Sequence, residues 1–286
     1  MKNTCVDISG KLNTGLVELY KDINDTAKLL NIPYLVIGAM ARDLVLVHGF
    51  NSKIERGTRD VDFGINIESW EQFFLLQSAL LNIGFVQDKN SIHKFTRTDH
   101  HNLPWEIDIV PFGKIVDQQS SIHWPPEGAF VMNVIGFNEA LQNALQVTIS
   151  KNPKLTISVA SPAGTALLKL IAWFDRESEF RKKDASDIKY LIATYHKIPE
   201  IFDAIYDEGF AEEQDYDVLK ASAAKLGTDI NHISPPKIKR LLQDNIFLNE
   251  TNMIEFSREM NSGINTDFDE NFELLTLLGQ GILKEK

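Results

Sequence analysis

Apolar positions recur at helical spacing over residues 15–30, and Pro33 separates that helix from a compact apolar run, Tyr34-Leu35-Val36-Ile37-Gly38, which reads as a buried strand. Gly38 ends the strand, and 39–49 follow at once as a short helix. A polar, glycine-containing loop over 51–58 leads into 59–67, where apolar and polar residues alternate as on a half-buried strand. Helical spacing returns over 69–83, with Ser69 placed as N-cap. Two further strands, 92–98 and 105–112, flank a polar stretch at 99–104. The pattern over 129–159 is mixed, with strands expected near 130–135 and 155–160 and a helix or loop near 138–144. From Ser161 onward it is almost wholly helical, with segments at 162–178, 184–196, 199–208, 215–226, 235–248 and 268–283. Ser161-Pro162 is a good helix start, a hydroxyl N-cap followed by proline where its missing N–H costs nothing. A boundary near 158 therefore divides the chain into an α/β (α+β) domain with a mixed sheet, 1–158, and a helical C-terminal domain, 159–286.

Composition acts mainly by exclusion. Hydrophobic residues make up 43% of 286, enough for one large or two modest domains and too many for a wholly disordered chain. The single cysteine, Cys5, rules out an intrachain disulfide framework and a multi-cysteine zinc site, and favours a reducing, cytoplasmic setting. The N-terminus lacks a basic stretch followed by an apolar one, and no run approaches the ~18 apolar residues of a membrane span, so a soluble chain without a membrane partner is expected. The formal charge of −11 is uneven: 1–157 carry 14 basic and 17 acidic residues, the remainder 15 and 23. Such a surface lacks the broad phosphate-neutralising field of a general DNA binder, although a small basic patch is compatible with one strand or one tRNA end. Eight acids without Lys or Arg over 200–217 read as a solvated helical face.

Candidate chemistry gathers on two strands. Period two places Asp60 and Asp62 on one face of the first, and a neighbouring strand is able to bring Asp108 beside them. Three converging carboxylates repel one another unless divalent cations neutralise them, and Mg²⁺ prefers such oxygen ligands. A plain solvent face is the alternative. Upstream, Gly38 turns a strand directly into a helix, so backbone N–H groups and the helix's positive end face one point suited to a triphosphate. Arg42, one turn on, either touches a phosphate or pairs with Asp43 or a neighbouring acid. Neither G-x-x-x-x-G-K-[ST] nor G-x-G-x-x-G occurs, which removes the main support for ATPase and dinucleotide-binding readings.

Taken in order, Gly38-Ala39 after an apolar strand, Asp60-x-Asp62, and Asp108 between apolar residues make 34–112 resemble the nucleotidyltransferase superfamily of polymerase-beta type. Within it the chain looks closest to the AbiEii-like toxin nucleotidyltransferases, on Thr58-Arg59 before the D-x-D, Lys169 on the helix after Ser161-Pro162, and the run 181–187. Where that family has Gly-Gly or Gly-Ser, Gly38-Ala39 keeps the N–H donor but loses a hydroxyl or some backbone freedom. The resemblance implies transfer of a nucleoside monophosphate from an NTP to an acceptor hydroxyl, with pyrophosphate released and two Mg²⁺ ions engaged. Asp60 and Asp62 would hold the metal carrying the triphosphate, and Asp108 would share the second and orient or deprotonate the acceptor. Gly38, Ala39, Arg42 and Arg59 are the nucleotide-binding residues expected beside them. The implied acceptor is a tRNA 3′ end or a protein hydroxyl, the chain acting as a toxin with an antitoxin partner. An aminoglycoside-type small molecule is the alternative, since an acidic chain suits a cation.

On the helix after Pro162, Leu167, Leu170, Ile171 and Phe174 form a core stripe, and Lys169, Trp173 and Arg176 a second stripe nearly opposite. Facing a cleft, the second stripe offers Lys169 or Arg176 to a γ-phosphate and Trp173 to a base. Otherwise Lys169 is a surface lysine and Trp173 packs on a neighbouring helix. Asp184 reads as the next N-cap, and Asp187 as nucleotide-binding by resemblance or as a first-turn acid favoured by the helix dipole. Asp99-His100-His101 matches a short phosphoesterase motif without its companions and reads as a loop. Two rivals stay open: an inactive nucleotide- or partner-binding module, and a D-x-D glycosyltransferase, which needs neither Asp108 nor the Gly38 turn.

Overall fold

The computed structural model describes residues 5–54, 57–261 and 268–285. Glu55 and Arg56 of the expected loop lie outside them. Contacts divide the chain into two units, Met1–Ser161 and Pro162–Lys286.

The first unit contains β1 (Cys5–Asp7), α1 (Thr14–Leu29), β2 (Tyr34–Ile37), α2 (Gly38–Arg42), β3 (Asp60–Ile67), α3 (Trp70–Asn82), β4 (Val86–Gln87), β5 (Lys94–Thr98), β6 (Pro104–Gly113), β7 (Ser121–His123), β8 (Val131–Asn133), α4 (Phe137–Gln142), β9 (Leu145–Lys151) and β10 (Lys154–Val159). Eight strands form a mixed sheet in the order β1-β9-β10-β2-β3-β6-β5-β4, and β7 and β8 pair separately. The sequence pattern does not mark β1 or β9, because three residues are too few for a period and β9 lies in the mixed stretch.

Alternation along β3 decides which side chains meet which layer. Val61, Phe63, Ile65 and Ile67 are buried on one face, where the Phe63 ring lies 6.0 Å from Tyr20 of α1. Each fully buried side chain of this size contributes roughly 1.5–3 kcal/mol. Asp60, Asp62, Gly64 and Asn66 point to the other face. There Phe137 of α4 packs on Phe112 at 5.4 Å and on Gly64, where an added Cβ would stand 3.1 Å from the Phe137 ring. Aromatic packing thus fills the C-terminal half of this face, while Asp60 is exposed and Asp62 half-buried.

The second unit is helical: α5 (Pro162–Asp175), α6 (Ser178–Tyr195), α7 (Pro199–Asp207), α8 (Phe210–Glu213), α9 (Val218–Ile233), α10 (Pro236–Leu242), α11 (Glu250–Glu259) and α12 (Phe268–Leu283). α6 begins six residues before the expected 184, with Glu177 at the N-cap position, so Asp184 lies inside the helix and is not its cap. No helix among the described residues is long and apolar enough to cross a membrane.

Candidate active site

β3 and β6 run parallel with Asp60 opposite Glu106 and Asp62 opposite Asp108. Residues paired across a ladder project from the same face, and neighbouring strands lie about 4.8 Å apart. Four carboxylates therefore share one patch, two of them half-buried. Glu106 is the member that the sequence reading missed: it lies two residues before Asp108, and only the β3–β6 register shows it opposite Asp60. β5 adds a cation. Lys94 is in register with Asp108, its Nζ 3.7 Å from Oδ2. With the two side chains 51% and 33% exposed, the pair is weak, at most about 1 kcal/mol.

The other flank is set by β2, antiparallel to β3 with Ile37 opposite Asp62. Gly38, the next residue, has φ +71°, and a Cβ there would stand 2.0 Å from Asp62 Oδ2. The strand ends where the backbone has to pass against a carboxylate, and only glycine fits. Gly38→Ala is expected to lose about 1–2 kcal/mol of stability from left-handed backbone alone. It should also displace the Asp62 carboxylate, lowering catalytic turnover about tenfold or more. Denaturant unfolding alongside an activity assay checks both effects; a variant that is as stable and active as the parent would show that the backbone does not need this approach.

α2 continues into a π-helical turn, Asp43–Gly49. Arg42, expected at the phosphates, takes the structural reading: it is 2% exposed, with Nε and Nη2 2.9 and 2.8 Å from Asp43 Oδ1. Burial holds it beneath the turn. Ala39 is half-buried and Arg59 exposed. Thr58 Oγ1 accepts the Asp60 N–H at 3.2 Å, and the Arg59 carbonyl accepts the Glu106 N–H at 3.4 Å, which fixes the entry to β3.

Among the described residues, no three His, Cys, Asp or Glu side chains are gathered closely enough to hold a metal ion as they stand. The donor chemistry nevertheless fits a hard divalent cation, since Asp60, Asp62 and Asp108 offer only carboxylate oxygens from one face of two paired strands. Mutual repulsion between unneutralised carboxylates favours a spread arrangement of this kind. Next to them, the His93 carbonyl accepts the Ile109 N–H at 2.9 Å. Burial lowers the His93 pKa below the ordinary histidine value, partly offset by the charge of Asp108.

The remaining expected residues lie in the helical unit. Lys169 Nζ contacts Asp184 Oδ1 at 2.9 Å and Asp187 Oδ2 at 2.8 Å, and Arg176 Nη1 contacts Asp184 Oδ2 at 2.9 Å. Trp173 is fully buried; it lies 4.6 Å from Phe256, Arg181 stands 4.3 Å over its ring, and its Nε1 donates to Glu259 at 2.7 Å. The expected polar stripe is thus the face by which α5 meets α6 and α11, so neither surface reading of Lys169 nor an open Trp173 applies. Burial would lower the Lys169 pKa, but the charges of Asp184 and Asp187 more than offset it, and the net shift is upward. Asp99 forms the β5–β6 turn, its Oδ1 accepting the His101 and Leu103 N–H groups at 2.8 and 2.9 Å.

No curated protein matches the chain. Among solved structures it is similar to an antigenic nucleotidyltransferase-like protein from Paracoccidioides brasiliensis, at 18% identity and TM-score 0.41 over 74% of this chain and 94% of that one. It is also similar to a lincomycin-bound lincosamide antibiotic adenylyltransferase, at 21% identity and TM-score 0.35 over 63% and 98%. The CCA-adding enzyme of Thermotoga maritima complexed with tRNA aligns at 11% identity and TM-score 0.27 over 96% and 80%. The decisive match is to a family model, the nucleotidyl transferase AbiEii toxin of type IV toxin–antitoxin systems, which spans residues 27–273 and so takes in the Gly38 turn, both acidic strands and the helix that carries Lys169. The chain belongs to the AbiEii nucleotidyltransferase family.

Proposed function

We propose that the sheet-bearing unit transfers a nucleoside monophosphate from an NTP to an acceptor hydroxyl in a Mg²⁺-dependent reaction. The observation that carries this reading is the register that sets Asp62 beside Asp108 while Gly38 passes against Asp62. In it, the backbone N–H groups of Gly38 and Ala39 and the exposed Arg59 receive the triphosphate. Asp60, Asp62 and Asp108 would hold two Mg²⁺ ions, which when bound screen the polyphosphate and stabilise the attacking and leaving oxygens. Asp108 accepts the proton of the acceptor hydroxyl as its oxygen bonds to the α-phosphorus and the bond to pyrophosphate breaks. Lys94 balances the charge of Asp108 before substrates arrive. Lys169, Asp187 and Trp173 act as framework of the helical unit, with Arg176 helping to neutralise Asp184.

The family's description supports a toxin role and a cognate antitoxin. An RNA end or a protein hydroxyl is the proposed acceptor, and the cytoplasm the proposed setting. Incubation with α-labelled NTPs and Mg²⁺, offered total RNA, cell protein or aminoglycosides in parallel, tests the reading. Label should enter one acceptor class and vanish with a chelator; transfer that persists without divalent cations would contradict it.

A further inference from the structure

We propose that the chain carries a second ligand site, on the sheet face opposite the acidic residues, which takes a free planar heterocycle of nucleobase or nucleoside type. The site is a cavity of about 540 Å³ between the loop before β5, with Asn90, Ser91 and His93, and the connection between β7 and β8, with Trp124, Glu127 and Phe130. Ligand pockets of roughly 300–1,000 Å³ take a molecule of nucleoside size.

Strand alternation separates this cavity from the acidic patch. Lys94 is in register with Asp108 and shares its face, so His93, the residue before it, turns to the other. There Trp124 packs on Trp70 and Phe73 of α3, with ring centroids 5.3 and 5.6 Å apart, and lies 5.1 Å from His93. Asp60, Asp62 and Asp108 are not among the residues that line the cavity. A molecule seated here therefore leaves the proposed NTP site free.

The lining selects the ligand by shape and charge. The Phe130 ring is nearly parallel to those of His93 and Trp124, at 17° and 22° with centroids 6.1 and 6.5 Å away, and Phe130 is 53% exposed. Rings set in parallel offer faces for stacking a flat heterocycle, whereas a cage for an alkylammonium ion sets its rings around a point. Trp124, 3% exposed, is fixed by α3, so its part of the wall is preformed and loses little freedom on binding. Two buried polar atoms, His93 Nδ1 and Trp124 Nε1, have no hydrogen-bond partner among the described residues. The indole N–H only donates, while a neutral imidazole, the form that burial favours, both donates and accepts; a heterocycle edge reaching them as Phe130 makes way matches both. Among the described residues lining the cavity none is Lys or Arg, and Glu127 is the one acid. Phosphates are disfavoured beside it, and ribose hydroxyls or an amino group are suited to it.

Equilibrium dialysis of the full-length protein against labelled adenosine, with a saturating non-hydrolysable ATP analogue and Mg²⁺ present throughout, reads this site apart from the acidic face. The proposal expects adenosine to bind and Phe130→Ala to weaken that binding about fivefold or more. AMP should bind less tightly than adenosine, and Glu127→Gln should narrow the difference. Phe130 and Glu127 are both exposed, so the two variants should keep the wild-type circular dichroism spectrum. The inference is overturned if adenosine does not bind at up to about 10 mM, if Phe130→Ala changes nothing, or if a further excess of the ATP analogue displaces adenosine. Tighter binding of AMP or of a short single-stranded RNA, or displacement of adenosine by tetramethylammonium, would equally contradict it. None of these results bears on nucleotidyl transfer, whose residues stand on the other face.

Discussion

Replacing Asp62 by Asn is expected to lower nucleotidyl transfer by about 10³-fold, because losing the cation's transition-state stabilisation removes several kcal/mol and each 1.36 kcal/mol is worth a factor of ten. Asn has nearly the shape of Asp, and the position is half-buried on a face whose packing comes from Phe112, Phe137 and Gly64, so the fold should survive. The loss should therefore appear in turnover and not in the unfolding midpoint. Asp62 is the carboxylate against which Gly38 passes and beside which Asp108 stands, so no neighbour can take over its place. Pyrophosphate release with Mg²⁺ checks the result, with circular dichroism as the control; turnover within about threefold of wild type would remove Asp62 from the chemistry.

Lys169→Met should act on stability. The substitution leaves Asp184 and Asp187, 0% and 1% exposed, without the ammonium at 2.9 and 2.8 Å, and an uncompensated buried charge costs about 3–5 kcal/mol. Arg176 still reaches Asp184 and moderates the loss there. Chemical denaturation followed through the helical signal measures it. Replacing Lys169, Asp184 and Asp187 together by Met, Asn and Asn should recover a large part, since both partners of the pair then disappear. The pH sense follows from the upward shift: the stabilisation is in place at neutral pH and is lost only as pH rises beyond the ordinary lysine value of 10.5. A single substitution costing less than about 1 kcal/mol would show that these carboxylates are not truly desolvated.

These outcomes also mark how far the residues announce the structure. The acidic face was legible, because strand alternation needs only adjacent letters and β3 alternates cleanly. Lys94 and Glu106 were not, because register is a long-range property. The β5–β6 turn holds the missing clue: once Asp99 closes it and Thr98 pairs with Pro104, counting back along β5 and forward along β6 brings Lys94 opposite Asp108. For the polar stripe of α5 the sequence leaves an open face and packing on a neighbouring helix as alternatives, because a helical wheel separates two sides without saying whether both are covered. α6 and α11 cover the second side, and the charges there are paired inside the unit. Arg42 had two readings by sequence; only its burial decides between them.

The central claim is that Asp60, Asp62 and Asp108 close around divalent cations under an NTP. Titration calorimetry with a non-hydrolysable NTP, run with Mg²⁺ and with a chelator on the wild type and on Asp108→Asn, tests it most directly. The account predicts tight binding only in wild type with metal, and binding weakened about tenfold or more in the variant. Equal affinity in all four titrations would mean that these acids do not act together on the nucleotide.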